Sequence, residues 1–278
     1  MTLEQSTAPR TISRMTNPML RKLVRVEASE GAAEGARATY GGVAAKSIFF
    51  LLLTAAGAAA YFVLHGVFAK SGADLNEVAG FSVYSSEMTL LLIAAAAALL
   101  CSLLAWPLRP LAPVLGTVYS LAQGYSIAMI SASYAAQYQG IIMLALLLTL
   151  AIVFSMLVLY ASGIVKIGRR FKAVVATLFF ASLLGGAGVF ALNLIWPNSP
   201  VAALLSENGP VAIAGAVAGI VIAALFLLSD FDTIEQTVSQ GLAKKYEWFA
   251  AFGLVITILW LYLKVLSLLK KFKKNNKS

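Results

Sequence analysis

Seven times along this chain a run of about 20 residues passes with almost no charge, the length that crosses a bilayer as a helix. The runs fall at roughly 44–68, 86–106, 111–133, 140–162, 173–196, 210–230 and 247–269. They are continuous rather than alternating apolar and polar, which excludes a membrane β-barrel. Backbone groups in lipid must then be satisfied within helices. The expected fold is an all-α integral membrane protein, a seven-transmembrane-helix bundle. Composition agrees, with 60% hydrophobic and only 12% charged residues. Short connections leave no room for a soluble catalytic module. The expected organisation is a polar arm over 1–42, a membrane domain over 43–270 and a basic tail over 271–278.

The net charge of +9 lies mostly beside helix ends, so it reads as lipid-facing and topology-setting rather than as a nucleic-acid signal. The expected partners are the bilayer and its anionic headgroups. If the helices alternate, the arm, Arg109, the cluster Lys166, Arg169, Arg170 and Lys172, and Lys244 with Lys245 share one side. That side is read as cytoplasmic, with the arm a cytoplasmic tail and the membrane a bacterial plasma membrane. The arm either carries a short interfacial helix around Pro18 to Val26 or is disordered. One conflict stands. The stretch Lys270 to Lys277 holds five lysines, yet a seventh crossing puts it on the opposite side. Either the sixth or seventh run is re-entrant, or the tail breaks the positive-inside pattern. Cys101 has no second cysteine to pair with, and His65 reads as a solvated interfacial residue.

Polar side chains inside the runs are costly and therefore informative. In the third run Gly116, Gly124, Ser126, Ser131 and Ser133 suit close helix contact, and Gln123 reads as interhelical hydrogen-bonding glue or as pore lining. Asp230 directly follows an apolar stretch and is expected to be buried. Asp232 lies about 200° away on a helix and faces elsewhere, sharing a side with Glu235, which is expected to be solvated. Lys264 stands inside the last run on a stripe with Trp260, Leu261, Ser267 and Leu268. It either snorkels to the membrane surface or pairs with Asp230 or Asp232. Glu247, at the start of that run, is a further supporting acid. One histidine, one cysteine and no nucleophile-plus-base constellation argue against an enzyme, and no cofactor or metal site is expected.

Several segments together resemble the Bax inhibitor-1 family of seven-helix membrane proteins, in particular its bacterial branch with a long N-terminal arm. They are Leu228-Ser229-Asp230-Phe231-Asp232-Thr233-Ile234, Glu247-Trp248-Phe249-Ala250-Ala251-Phe252-Gly253-Leu254 and Leu259-Trp260-Leu261-Tyr262-Leu263. Asn17-Pro18, Tyr40 to Lys46, Ala112-Pro113, Gln123-Gly124 and Ile130-Ser131 extend the likeness over nearly the whole chain. The resemblance implies a proton-sensitive leak path for Ca²⁺, with two acids on the last two helices as pH sensor. The first matches Asp230. The second matches position 264, where this chain has lysine. An Asp–Lys pair shares no proton, and a fixed amine repels Ca²⁺, so gating is expected to be altered. The alternative is a non-conducting regulatory or scaffold protein that binds another membrane protein, such as a protease.

Overall fold

The computed structural model describes residues 37–275 apart from 71–74, 79–80, 106, 166, 179–180, 183–184 and 186–209. The expected interfacial helix near Pro18, most of the fifth run and the 196–209 connection lie outside the described residues. Helix α1 spans Tyr40–Lys70. Strands β1 (Leu75–Val78) and β2 (Phe81–Tyr84) follow as an antiparallel pair, with Leu75 opposite Tyr84 and Val78 opposite Phe81. This pairing of backbone groups in the 69–85 connection was not expected. Then come α2 (Ser85–Leu104), a 3₁₀ turn (Arg109–Leu111), α3 (Ala112–Gln137) and α4 (Ile141–Ala161). Helix α5 is described over 169–178. The last two helices are α6 (Pro210–Ser239) and α7 (Tyr246–Asn275).

Among the described residues, α1, α2, α4, α6 and α7 are long and apolar enough to cross a membrane. The 26 residues of α3 are richer in glycine, serine and tyrosine, because α3 packs against α1, α2 and α7 and shows less of itself to lipid. Close approach is built into the α1–α3 crossing. A Cβ on Gly57 would overlap the Leu121 carbonyl, and one on Gly124 would overlap the Thr54 carbonyl. Small residues of this kind let helix backbones meet in lipid, where burial of apolar surface gives little association energy. Near the arm end, Phe50, Tyr119, Trp248 and Phe252 join α1, α3 and α7 edge to face. A second core unites Ile141 and Ala145 of α4 with Leu227 of α6 and Leu261 and Leu266 of α7.

Helix α6 runs nine residues beyond the expected end at 230. Aspartate, threonine, glutamate and glutamine tolerate helical geometry once the chain leaves the hydrocarbon layer. It ends in a Schellman turn: Gly241 (φ 63°) donates to Val238 O at 3.0 Å and Leu242 N donates to Thr237 O at 3.2 Å. Leu242 is buried to 1% exposure, the apolar contact such turns carry. After it, α7 returns antiparallel. Each helix has 30 residues, about 45 Å of length, so neither is re-entrant. Lys271 Nζ donates to Ala212 O at 3.0 Å and Lys273 Nζ to Gln139 O at 2.7 Å. The tail therefore lies with the α3–α4 turn and the start of α6. Arg37 lies at the opposite end, bridged to Ala243. The first way out of the topology conflict is thus closed, and Lys271 and Lys273 lie at the end of the bundle opposite Arg37.

Candidate functional site

The seam between α6 and α7 holds the two groups singled out from the sequence, but not as a pair. Asp230 points at α7 near its first third. Its Oδ1 lies 3.8 Å from where a Cβ on Gly253 would be, and the Thr257 hydroxyl lies beside it. Gly253 makes room, and Thr257 keeps its own hydroxyl bonded to Gly253 O at 3.2 Å. Leu227, Leu228 and Phe231 around Asp230 are buried. The Oδ2 atom is shielded and has no hydrogen-bond partner among the described residues. Such an atom is an uncommon feature, because a buried acceptor left unmade costs about 1–3 kcal/mol.

Lys264 lies elsewhere in the same seam. Its stem packs on Gly219, with Cδ 3.1 Å from a would-be Cβ there, and its amine sits 5.4 Å from the Trp260 ring centroid. Gly219 and Asp230 are eleven residues apart on one helix, about 16 Å. The expected Asp230–Lys264 pair is therefore not formed, nor is an Asp232–Lys264 pair. The reason is hairpin geometry. Antiparallel helices face each other at equal distances from their turn, so counting outward from Leu242 places 230 opposite 254 and 264 opposite 220. Position 264 reaches the tail-side half of the seam, in line with Lys271, as snorkelling requires.

Asp232 faces away from Asp230, as the 200° separation requires. Its partner is Lys172 of α5, at 2.5 Å, with both side chains 14% exposed. Gln236 Nε2 also donates to Asp232 Oδ2 at 2.7 Å, and Lys172 Nζ lies 3.5 Å from Thr233 Oγ1. The 166–172 cluster was read only as a topology marker, yet its last lysine ties α5 to α6. Glu235 is exposed, as expected, and accepts a hydrogen bond from Tyr160 OH.

Glu247 is the larger surprise. It is 0% exposed and accepts from Lys46 Nζ, from Thr39 N at 2.8 Å and from Thr39 Oγ1 at 3.2 Å. Gly42 is needed because a Cβ there would overlap this carboxylate. Ala38 N donates to Leu242 O at 2.7 Å. The end of the arm is thus strapped across the α6–α7 turn. An acid at the start of an apolar run looks solvated in sequence, and its partner Lys46 is 201 residues away.

At the opposite end, His65 Nδ1 lies 2.6 Å from Glu87 Oε1, and Glu87 is 1% exposed. His65 is 43% exposed, so the solvated reading holds for the ring but misses its acid. Gln123 makes no hydrogen bond among the described residues. The bond across helices is made instead by Ser131 and Tyr262, at 2.9 Å. Among the described residues no three His, Cys, Asp or Glu side chains gather in a way that could hold a metal ion.

No curated protein sequence matches the chain. A family model described as "Bax inhibitor 1 like" matches residues 17–274, a stretch that includes both last helices, the strapped end of the arm and every site residue named above. The chain is a membrane protein of the Bax inhibitor 1-like family.

Proposed function

We propose that this protein is a pH-modulated cation leak channel, with Ca²⁺ the permeant ion, whose path follows the α6–α7 seam past Asp230. The observation that carries this reading is the shielded Asp230 Oδ2, an oxygen that no donor among the described residues satisfies. An ionisable group held in a span without a full complement of partners marks a pathway or relay more often than a packing feature. Asp230 binds the passing cation and its protonation state sets the flux. The Lys172–Asp232 pair caps the arm side of the path, which faces the cytoplasm. Lys264 stands about 16 Å away along the seam, and its amine lowers cation occupancy by repulsion rather than by pairing.

Reconstitution into liposomes with a Ca²⁺ indicator tests this. Wild type leaks Ca²⁺ with a pH-dependent rate, Asp230→Asn removes the pH dependence, and Lys264→Gln raises the rate several-fold. Equal pH dependence in wild type and Asp230→Asn would reject the role of Asp230. The fixed amine in the seam favours a second reading, a non-conducting regulator that binds another membrane protein. A wild type with no flux, and a single partner crosslinked in native membranes, would establish that reading instead.

A further inference from the structure

Arg109 stands out among the described cations. Lys46 has Glu247, Lys172 has Asp232, and Lys271 and Lys273 have backbone carbonyls. The Nε of Arg109 is buried with no acceptor, the one basic nitrogen of that kind among the described residues. Its guanidinium lies 5.8 Å from the Phe249 ring centroid, and no acid among the described residues pairs with it. Burial lowers its pKa, with Tyr246 acting in the opposite sense, but arginine keeps its charge at neutral pH. The group is only partly buried, so an anion can reach it.

Beside it runs an apolar groove of about 320 Å³ between α1, α3 and α7, lined by Phe49, Pro113, Val114, Thr117, Val118 and Trp248. Pro113 is one helical turn from Arg109, and Trp248 is the neighbour of Phe249. The groove therefore starts at the level of the guanidinium, at the arm end, and runs toward the bilayer centre along Thr117 and Val118. Val114 and Val118 are exposed on the outer surface of the bundle, so the groove opens to the lipid rather than into the protein.

We propose that Arg109 and this groove form a binding site for one anionic phospholipid of the arm-side leaflet. The phosphate meets the guanidinium, and one acyl chain lies in the groove against Trp248, Pro113 and Val118. A bidentate Arg–phosphate contact supplies the counter-charge that the described residues do not. The groove supplies the length and polarity that a free phosphate cannot use. The inference does not depend on ion conduction, so it stands or falls separately from the channel reading.

The full chain in nanodiscs of phosphatidylcholine with a minor fraction of phosphatidylglycerol, released into native mass spectrometry, provides the test. Wild type should retain one phosphatidylglycerol with about tenfold preference over phosphatidylcholine, whose choline cation offsets the phosphate charge and is repelled by the guanidinium. Arg109→Gln should erase that preference, Arg109→Lys should keep part of it, and Val118→Trp should expel the lipid of either headgroup. Arg170→Gln, at an exposed cation of the same end, should leave retention unchanged. The proposal is overturned if wild type shows no preference, or if Arg109→Gln or Val118→Trp retains phosphatidylglycerol as wild type does. Should Arg109→Gln fail to fold, the headgroup comparison on wild type and the Val118→Trp result still decide the question.

Discussion

Replacing Glu247 is the sharpest available test of how the arm is held. The carboxylate is 0% exposed and the Lys46 side chain 12%. Removing one member of a buried pair leaves the other charge uncompensated and costs about 3–5 kcal/mol, so Glu247→Ala should lose that much. Glu247→Gln keeps an oxygen for the Thr39 amide, 2.8 Å away, and loses only the charge facing Lys46. A charged hydrogen bond is worth about 1.5–3 kcal/mol net, so this variant should lose about 2 kcal/mol. Lys46→Met removes the other partner. If the two groups act as one unit, the double variant loses less than the sum of the singles by at least about 1 kcal/mol. Reversible unfolding in mixed micelles, followed by circular dichroism against denaturing detergent, measures wild type and the four variants. Additivity within about 0.5 kcal/mol would show that the pair contributes nothing through its contact, and the argument from burial would fail.

Gly57→Ala and Gly124→Ala each push a methyl into a facing carbonyl, and each should cost about 1–3 kcal/mol in the same unfolding assay. Ser131→Ala should cost only about 0.6 kcal/mol, the average for a hydrogen bond between membrane helices, although the bond to Tyr262 is buried. Asp230→Asn and Lys264→Gln should add within about 0.5 kcal/mol, because the two sites are too far apart to couple; a larger coupling would restore the discarded pair. Asp232→Asn should be rescued in part by Lys172→Met, measured by the same cycle.

Much of the architecture was legible because lipid imposes a simple rule. Apolar runs about 20 residues long announced α1, α2, α4, α6 and α7, and the small residues of the third run announced the close packing of α3. The shielding of the Asp230 carboxyl followed from the apolar stretch before it, and the opposite facing of Asp232 from helical geometry. What the pattern could not reveal was pairing at long range. Lys46 with Glu247, and His65 with Glu87, join ends of different helices. An acid at the edge of an apolar run looks the same whether it meets water or a lysine. The Lys264 assignment failed for a different reason. It rested on likeness of position, whereas the register of two antiparallel helices is set by the turn between them. Gly241 marks that turn in the sequence, and counting from it would have placed Lys264 beside Gly219.

That α7 makes a single uninterrupted crossing puts Arg37 and Lys273 at opposite ends of the bundle. Labels placed at Arg37 and at Lys273 would therefore meet water on different sides of the bilayer. A factor that reads the lysines of the α7 end therefore has no access to the strapped α6–α7 turn. Any signal passing between them must travel through the bundle itself, along the hairpin that α6 and α7 make.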